Sequence, residues 1–343
     1  MYRRITGYIF AILIVVSVFF LTGCNSELKT GTEESDYILS QPIIENTTNV
    51  TSVDKRYAAI ASMADLDVMQ GDDIKNILLI GQDRRINDPE VRRSDAMIIF
   101  SINLKTNKIN LVSLMRDMYI PYANGEEGMI NATYYKGDFD LLDKTIEDAF
   151  GIHIDGNMEL DFFRFRDFYD VIGPIDLELK DYEVNYLNDP KTVKWTKQAG
   201  VDSNGWNLQV GMNSMDSGQL LSFARTRYVG WGDWERTERQ RRIIMATYNK
   251  LKNYNANRLS RIAIQCMRFL RTDMSKSEMM GYLYTILSHD ITEFGSYRIP
   301  LEGTYTQEVR EETLHVLVPQ LEPNREAALQ YIYGVNEDST SSN

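Results

Sequence analysis

A single α/β domain is predicted from roughly Asp73 to Gly334, on three observations. Short apolar runs closed by turn residues alternate along this stretch with segments whose apolar residues recur at helical spacing. No period repeats, which argues against a solenoid or propeller. With 43% hydrophobic residues, a chain of 343 residues has enough apolar surface for one large core or two ordinary ones.

The first element lies outside that domain. Arg3 and Arg4 precede an uncharged run from Ile5 to Gly23, rich in Ile, Leu, Val and Phe. As a helix it would be roughly 28 Å long, about the thickness of a bilayer's hydrocarbon core. The two arginines hold its start in the cytoplasm and put everything after it on the outer face of the cell membrane. Leu21-Thr22-Gly23-Cys24 ends the run and resembles the lipobox of bacterial lipoproteins, with Cys24 as the lipidated residue; an uncleaved single-span anchor is the alternative reading of segment 1–24. Residues 25–72 turn polar and read as a flexible extracytoplasmic tether, and residues 335–343 as a disordered tail.

Within the domain, Ile74 to Ile80, closed by Gly81, reads as a buried strand. Ala96 to Asn103 and Ile109 to Leu114 flank a polar turn and predict a hairpin. Antiparallel pairing brings the start of the second strand and the end of the third to one sheet edge. A first strand antiparallel to the second ends there too. Asp83 and Arg84, Arg93 and Asp95, and Arg116 and Asp117 gather at that edge. Two carboxylates twelve residues apart suit a hard divalent cation, since Mg²⁺ takes one or two carboxylates and completes its shell with phosphates and water. The arginines complement phosphate; a surface ion-pair network uses the same residue types.

Asp138 to Phe150 predicts a helix stopped by Gly151. Asp161 to Ile172 predicts another, carrying Phe162, Phe163, Phe165, Phe168 and Tyr169 before Gly173-Pro174. So much aromatic surface implies either burial on both sides or an apolar tunnel for a lipid tail. Ile175, Leu177 and Leu179 alternate with Asp176 and Glu178, as in a half-buried strand. Further on, Arg258 to Leu270, Lys276 to Ser288 and Asn324 to Tyr333 read as helices and Val316 to Val318 as a strand.

Between these elements lies the densest chemistry. Arg225, Arg227, Arg236, Arg239, Arg241 and Arg242 fall within eighteen residues of a chain whose net charge is −12. In a helix from Arg236 onward, Arg236, Gln240, Ile243, Ile244, Thr247 and Leu251 share one stripe, while Glu238, Arg241 and Arg242 fall away. A stripe apolar at one end, with Arg and Gln at the other, predicts a helix whose first turns line an anion pocket. A solvated basic face with Glu–Arg pairs is the plainer account. The acidic net charge argues against general nucleic-acid binding. His153, His289 and His315 lack zinc-ligand spacing, no serine sits in a nucleophile-elbow context, and Cys266 reads as a small buried hydrophobe.

Six ordered motifs add up to a resemblance: Gly81-Gln82-Asp83-Arg84-Arg85, Arg93-Ser94-Asp95-Ala96-Met97, Ser113-Leu114-Met115-Arg116-Asp117, Ile130-Asn131-Ala132, Ala224-Arg225-Thr226-Arg227-Tyr228 and Arg236-Thr237-Glu238-Arg239-Gln240. Together they resemble the LytR-CpsA-Psr (LCP) family from about Ile74 to Asn253, and Arg298-Ile299-Pro300 and Val316-Leu317-Val318-Pro319 fit beyond. The resemblance implies one α-β-α domain, 73–334, with a central mixed sheet flanked by helices and a hydrophobic lipid tunnel. It implies a phosphotransferase that moves an anionic glycopolymer, teichoic acid or capsular polysaccharide, from a polyprenyl-pyrophosphate carrier to peptidoglycan. Asp83 and Asp95 would bind Mg²⁺, with Asp233 a third acidic position near them. Arg93, Arg116, Arg225, Arg227, Arg236 and Gln240 would hold the pyrophosphate, and Asp233 or Asp83 would deprotonate the attacking hydroxyl. A polyprenyl-pyrophosphate hydrolase and a non-enzymatic lipid-phosphate-binding regulator of the wall are the rival readings. Two features depart from the family pattern: Lys136-Gly137-Asp138 stands where a Gly pair is usual, and the lipobox replaces an uncleaved anchor.

Overall fold

The computed structural model describes residues 73–334 apart from 86–87, 192–200, 228, 231, 253, 255, 277, 280–281, 283–290, 292 and 311. At 83–85, 88–93, 162–163, 256–257 and 260 only the backbone path is described. The expectations for segment 1–24 with Cys24, for the tether 25–72 and for the tail 335–343 lie outside the described residues. Among the described residues no helix is long and apolar enough to cross a membrane.

The centre is a six-stranded mixed sheet in the order β10-β3-β2-β1-β6-β9. Its strands are β1 (Ile74–Arg85), β2 (Asp88–Asn103), β3 (Lys108–Leu114), β6 (Gly156–Asp161), β9 (Arg271–Thr272) and β10 (Glu293–Ile299). β1, β2 and β3 pair antiparallel in succession, while β1 with β6 and β3 with β10 pair parallel. Two short ribbons, β4 (Tyr119–Pro121) with β5 (Glu127–Met129) and β11 (Tyr305–Arg310) with β12 (Leu314–Pro319), extend the end of the sheet where β3 and β10 finish.

Apolar residues on both faces of β1 and β2 make this a three-layer domain. Ile77, Leu79, Ile98 and Phe100 face α2 (Phe162–Ile172), α4 (Ser217–Arg225), α5 (Asp233–Leu251) and α6 (Ala256–Met267). Leu78, Ile80, Met97 and Ile99 face α1 (Asn131–Phe150) and α7 (Leu321–Tyr333). β7 (Ile175–Leu179) pairs with β8 (Gly211–Met215) over the first layer, and α3 (Asp181–Asn188) follows β7. The strict alternation of buried and exposed residues along β7 is the one the sequence predicts.

Two expectations change. The first two strands do not stop short of the acidic residues: β1 runs on to Arg85 and β2 begins at Asp88, so Asp83, Arg93 and Asp95 sit inside a long ribbon. Polar strand ends continue to pair because the ladder is a backbone interaction, indifferent to the side chains that end an apolar run. The helix expected from Asp138 begins seven residues earlier, at Asn131, and kinks at Gly137 (φ −150°) and Asp138 (φ 57°). Asp138 holds its left-handed conformation through its own carboxylate, which accepts from Phe139 N at 2.9 Å and from Arg271 Nη1 of β9 at 2.7 Å. The departure at Lys136-Gly137-Asp138 is thus a kink pinned by a strand arginine. The helix expected from Lys276 to Ser288 lies largely outside the described residues. Cys266 is fully buried, as expected, and burial pushes its thiol up to about 12.

Candidate active site

The site starts from an irregularity in the ribbon. Gly81 pairs with Ala96 but Gln82 pairs with Ser94, so Asp95 is the extra residue of a β-bulge. A bulge bends its strand and re-aims the side chain it carries. Asp95 is buried, and its Oδ1 accepts from Arg116 Nη1 at 2.8 Å. Arg116 is thrown across the sheet end by the turn after β3, which the Met115 N–H fixes by donating to the Ile299 carbonyl at 2.8 Å. Arg116 Nε then lies 2.8 Å from Asp117 Oδ1 and 3.5 Å from Asp233 Oδ2.

Asp233 is where the second half of the chain arrives. It opens α5, one turn before the Arg236 start that the stripe suggests, so its carboxylate sits at the positive end of the helix dipole. Arg227 Nε lies 3.2 Å and Arg236 Nη1 2.8 Å from its Oδ1. Arg236 Nη2 also donates to the Asp95 carbonyl at 3.4 Å, which ties the two halves together. Between Arg227 and Asp233 the chain turns through Gly230 (φ 68°) and Gly232 (φ 64°); a Cβ at Gly230 would collide with Glu235 Oε2.

The stripe itself is buried as expected, at Arg236, Gln240, Ile243, Ile244, Thr247 and Leu251. The expectation that Arg241 falls away does not. Arg241 is buried, donating to Ser113 Oγ at 2.7 Å and to Glu238 Oε2 at 2.7 Å, because the helix also lies against the end of β3. The sequence assigns Arg239 no separate role, and the structure gives it a defined one. Its Nη1 donates to the Thr226 carbonyl at 2.9 Å and its Nη2 to the Val229 carbonyl at 3.2 Å, clamping the backbone on both sides of Arg227. Glu183 of α3 anchors it at 3.0 Å and also accepts from Arg242 Nη1 at 2.8 Å. No local pattern announces a partner 56 residues away.

The structure therefore brings together Asp95, Arg116, Asp117, Arg227, Asp233 and Arg236, with Gln240 buried one turn below Arg236. Asp83 and Arg93 are direct Cα partners across the ribbon, one pair beyond the bulge; their side chains lie outside the described part. Arg225 is the last residue of α4, half-buried, two positions before Arg227.

Charge and burial oppose each other here. Burial pulls the Arg236 guanidinium down to about 9, with Asp233 resisting and Arg227 and Arg116 adding to the fall. Arg227 is lowered the same way, by burial and then by Arg116. Arg116 goes up, since Asp95, Asp117 and Asp233 together outweigh its burial. The two carboxylates beside it part company: burial raises Asp117, whereas Asp233 is held low by Arg236, Arg227 and Arg116 despite its burial. Ion pairing also leaves donors over. Arg227 Nη2, Arg236 Nε and Gln240 Nε2 are buried and donate to no described acceptor. A buried guanidinium that keeps spare donors gains most from an oxyanion with several oxygens.

Of the two carboxylates expected to hold Mg²⁺, Asp95 is the one whose side chain is described. Among the described residues no group of three or more His, Cys, Asp or Glu side chains is placed to hold a metal ion. Mg²⁺ needs only one or two carboxylates with phosphate oxygens, and Asp95 has a second carboxylate oxygen to which no described donor points.

Comparison with known proteins agrees with this frame. The sequence profile described as the LytR_cpsA_psr family matches residues 41–324. The protein named polyisoprenyl-teichoic acid–peptidoglycan teichoic acid transferase TagU of Oceanobacillus iheyensis is 28% identical over 191 residues, covering 54% of this chain and 53% of that protein. The chain thus spans about half the length of this relative. Regulatory protein MsrR of Staphylococcus aureus is 24% identical over 234 residues, covering 67% of this chain and 65% of its own. Among solved structures, YwtF (TagT), a protein of Bacillus subtilis, with bound octaprenyl pyrophosphate lipid superposes with a TM-score of 0.57 at 21% identity, covering 77% of this chain and 92% of that one. At that identity the superposition speaks for the fold alone, and the fold is the mixed sheet flanked by helices described above. With a profile match across most of its length and the motif arginines and aspartates gathered at one sheet end, the chain belongs to the LytR_cpsA_psr family.

Proposed function

We propose that this protein is a phosphotransferase that moves an anionic glycopolymer from a polyprenyl-pyrophosphate carrier to a peptidoglycan hydroxyl on the outer face of the cell membrane. The observation that carries it is the meeting of Arg116, Arg227 and Arg236 around Asp233 with buried donors left over. The name of the Oceanobacillus relative and the lipid in the TagT structure support the same substrate class.

On this reading the pyrophosphate lies over Arg116, Arg227 and Arg236, whose forks take its non-bridging oxygens, with Arg93, Arg225 and Gln240 extending the grip. The acceptor hydroxyl oxygen attacks the phosphorus nearest the glycan. The bond from that phosphorus to the bridging oxygen breaks, and polyprenyl phosphate leaves with the electron pair. Guanidinium groups fixed in advance at the leaving phosphate lower this barrier without reorganising. Mg²⁺ held by Asp95 and Asp83 would neutralise charge on the same oxygens.

The hydroxyl proton goes to a carboxylate. Asp233 serves poorly because three arginines hold it low, and its part is to orient them. Asp117, raised by burial and contacted by Arg116, is the stronger base of the two, so we assign it the proton in preference to Asp233. We place the prenyl tail against the apolar layer that contains Phe165, Phe168 and Tyr169, which are buried in the core on this face of the sheet, and assign segment 1–24 to holding the domain at the membrane.

The test is transfer itself. Full-length protein with Mg²⁺ and a labelled polyprenyl-pyrophosphate glycan is incubated with and without peptidoglycan. Label in the insoluble wall fraction is the expected result. Label released into solution equally in both arms makes water the acceptor and overturns the transferase.

A further inference from the structure

On the far side of Asp233 lies a second cationic group that the transfer step does not use. The Arg298 guanidinium covers the ring of Trp234, the residue after Asp233, at 3.7 Å from its centroid. Tyr305 packs beside the same ring with centroids 5.4 Å apart. Arg298 pairs with Ser113 in the β10–β3 ladder, and in a parallel pair both side chains leave the same face. Arg241 is already bonded to Ser113 Oγ at 2.7 Å. Two arginines, one from a strand and one from α5, therefore converge on one serine.

Their surroundings differ in a way that points outward. Arg241 has Glu238 at 2.7 Å. Arg298 has no hydrogen bond and no ion pair among the described residues, and its buried Nε donates to nothing there. Burial and then the charge of Arg241 bring it down to about 10; Tyr305, Glu302 and Glu238 counter this only at a distance. Trp234, Tyr305 and Arg298 are each half-buried, so the group opens to solvent. A stacked guanidinium, pre-oriented and short of an acceptor beside a like charge, is arranged to receive an oxyanion.

We propose that Arg298 and Arg241, walled by Trp234 and Tyr305, form a second oxyanion subsite for a phosphate diester or carboxylate carried on a sugar or polyol chain. This rests on the transferase reading, in which Asp233 places the subsite next to the pyrophosphate. The anion comes either from the polyol-phosphate chain of the donor or from the carboxylates of the acceptor.

Calorimetric titration of the full chain in detergent separates these sources with three probes: geranylgeranyl pyrophosphate, a lipid-free oligo(glycerol phosphate), and muramyl dipeptide. Arg298→Gln is expected to weaken one of the last two by about tenfold while the pyrophosphate lipid binds as before. The probe that weakens names the source. Arg298→Lys keeps the charge and the stem over Trp234 but loses the planar fork, so the same loss with an unchanged melting temperature excludes a folding artefact. Should oligo(glycerol phosphate) and muramyl dipeptide both bind the variants like wild type, or neither bind wild type, the subsite is overturned. Failure of wild type to bind geranylgeranyl pyrophosphate tells instead against the pyrophosphate site.

Discussion

Arg236 and Arg239 stand three residues apart on α5, each 1% exposed, and meet opposite surroundings. Every nitrogen of the Arg239 guanidinium donates: Nε to Glu183, Nη1 to the Thr226 carbonyl, and Nη2 to the Val229 carbonyl and to Glu235 Oε2 at 2.6 Å. Arg236 shares Asp233 with two other arginines and keeps a buried Nε that no described acceptor reaches. Saturated, a buried arginine is part of the frame; with donors to spare, it awaits a ligand. Residue type and burial are the same in both, so the distinction lies in the hydrogen-bond count.

The largest effect tests the saturated side. Glu183→Ala leaves Arg239 and Arg242 without their shared carboxylate in the interior and is expected to cost about 3–5 kcal/mol in denaturant unfolding. Because Arg239 clamps the backbone on both sides of Arg227, turnover should fall as well. A loss under about 1 kcal/mol would mean that solvent rescues the pair and that the frame reading is wrong.

The second prediction takes the other side. Arg236→Met keeps the volume and removes a charge that the fold leaves under-bonded, so turnover is expected to drop roughly 10²- to 10³-fold while the melting temperature holds or rises. Loss of activity and stability together would place Arg236 in the frame beside Arg239.

How far this contrast was legible in sequence depends on the distance over which each feature is encoded. The buried stripe from Arg236 to Leu251 is a local period, so it could be read directly. The hairpin of β2 and β3 was equally local. The bulge at Asp95 was not, because a bulge is a property of two strands in register and neither strand alone announces it. Nor was the role of Glu183, which sits in a short helix with no pattern of its own, 56 residues from Arg239 and 59 from Arg242. The position of Arg298 against Trp234 likewise depends on a parallel pairing between strands at opposite ends of the domain. Motif residues were thus visible, and their bonding was not.

The contrast extends to carboxylates. Glu183 has two arginines; among the described residues Asp143 of α1 has only the Asn157 amide at 2.6 Å, and burial, with the charges of Asp273, Glu147 and Asp140, lifts it from 3.8 to about 8. Its folded form keeps a proton that the unfolded chain loses near its ordinary value, so unfolding releases a proton between those limits and stability falls as pH rises through them. Asp143→Asn removes this dependence. It is expected to match wild type near pH 4 and to exceed it by a margin that widens steadily up to about pH 8. A gap that does not widen with pH would show that Asp143 ionises freely.

The smallest effect asks which end of its loop positions Arg227. Asp216 caps α4 through a reciprocal pair, accepting from Gln219 N at 2.8 Å while its own N–H donates to Gln219 Oε1 at 3.0 Å. Asp216→Ala should cost about 1 kcal/mol by exposing those helix-end donors. Turnover should stay unchanged, since Arg239 grips the loop at Thr226 and Val229 downstream of the helix. If turnover falls along with the cap, Arg227 takes its place from the helix that precedes it, and the saturated arginine is a bystander to the site it appears to hold.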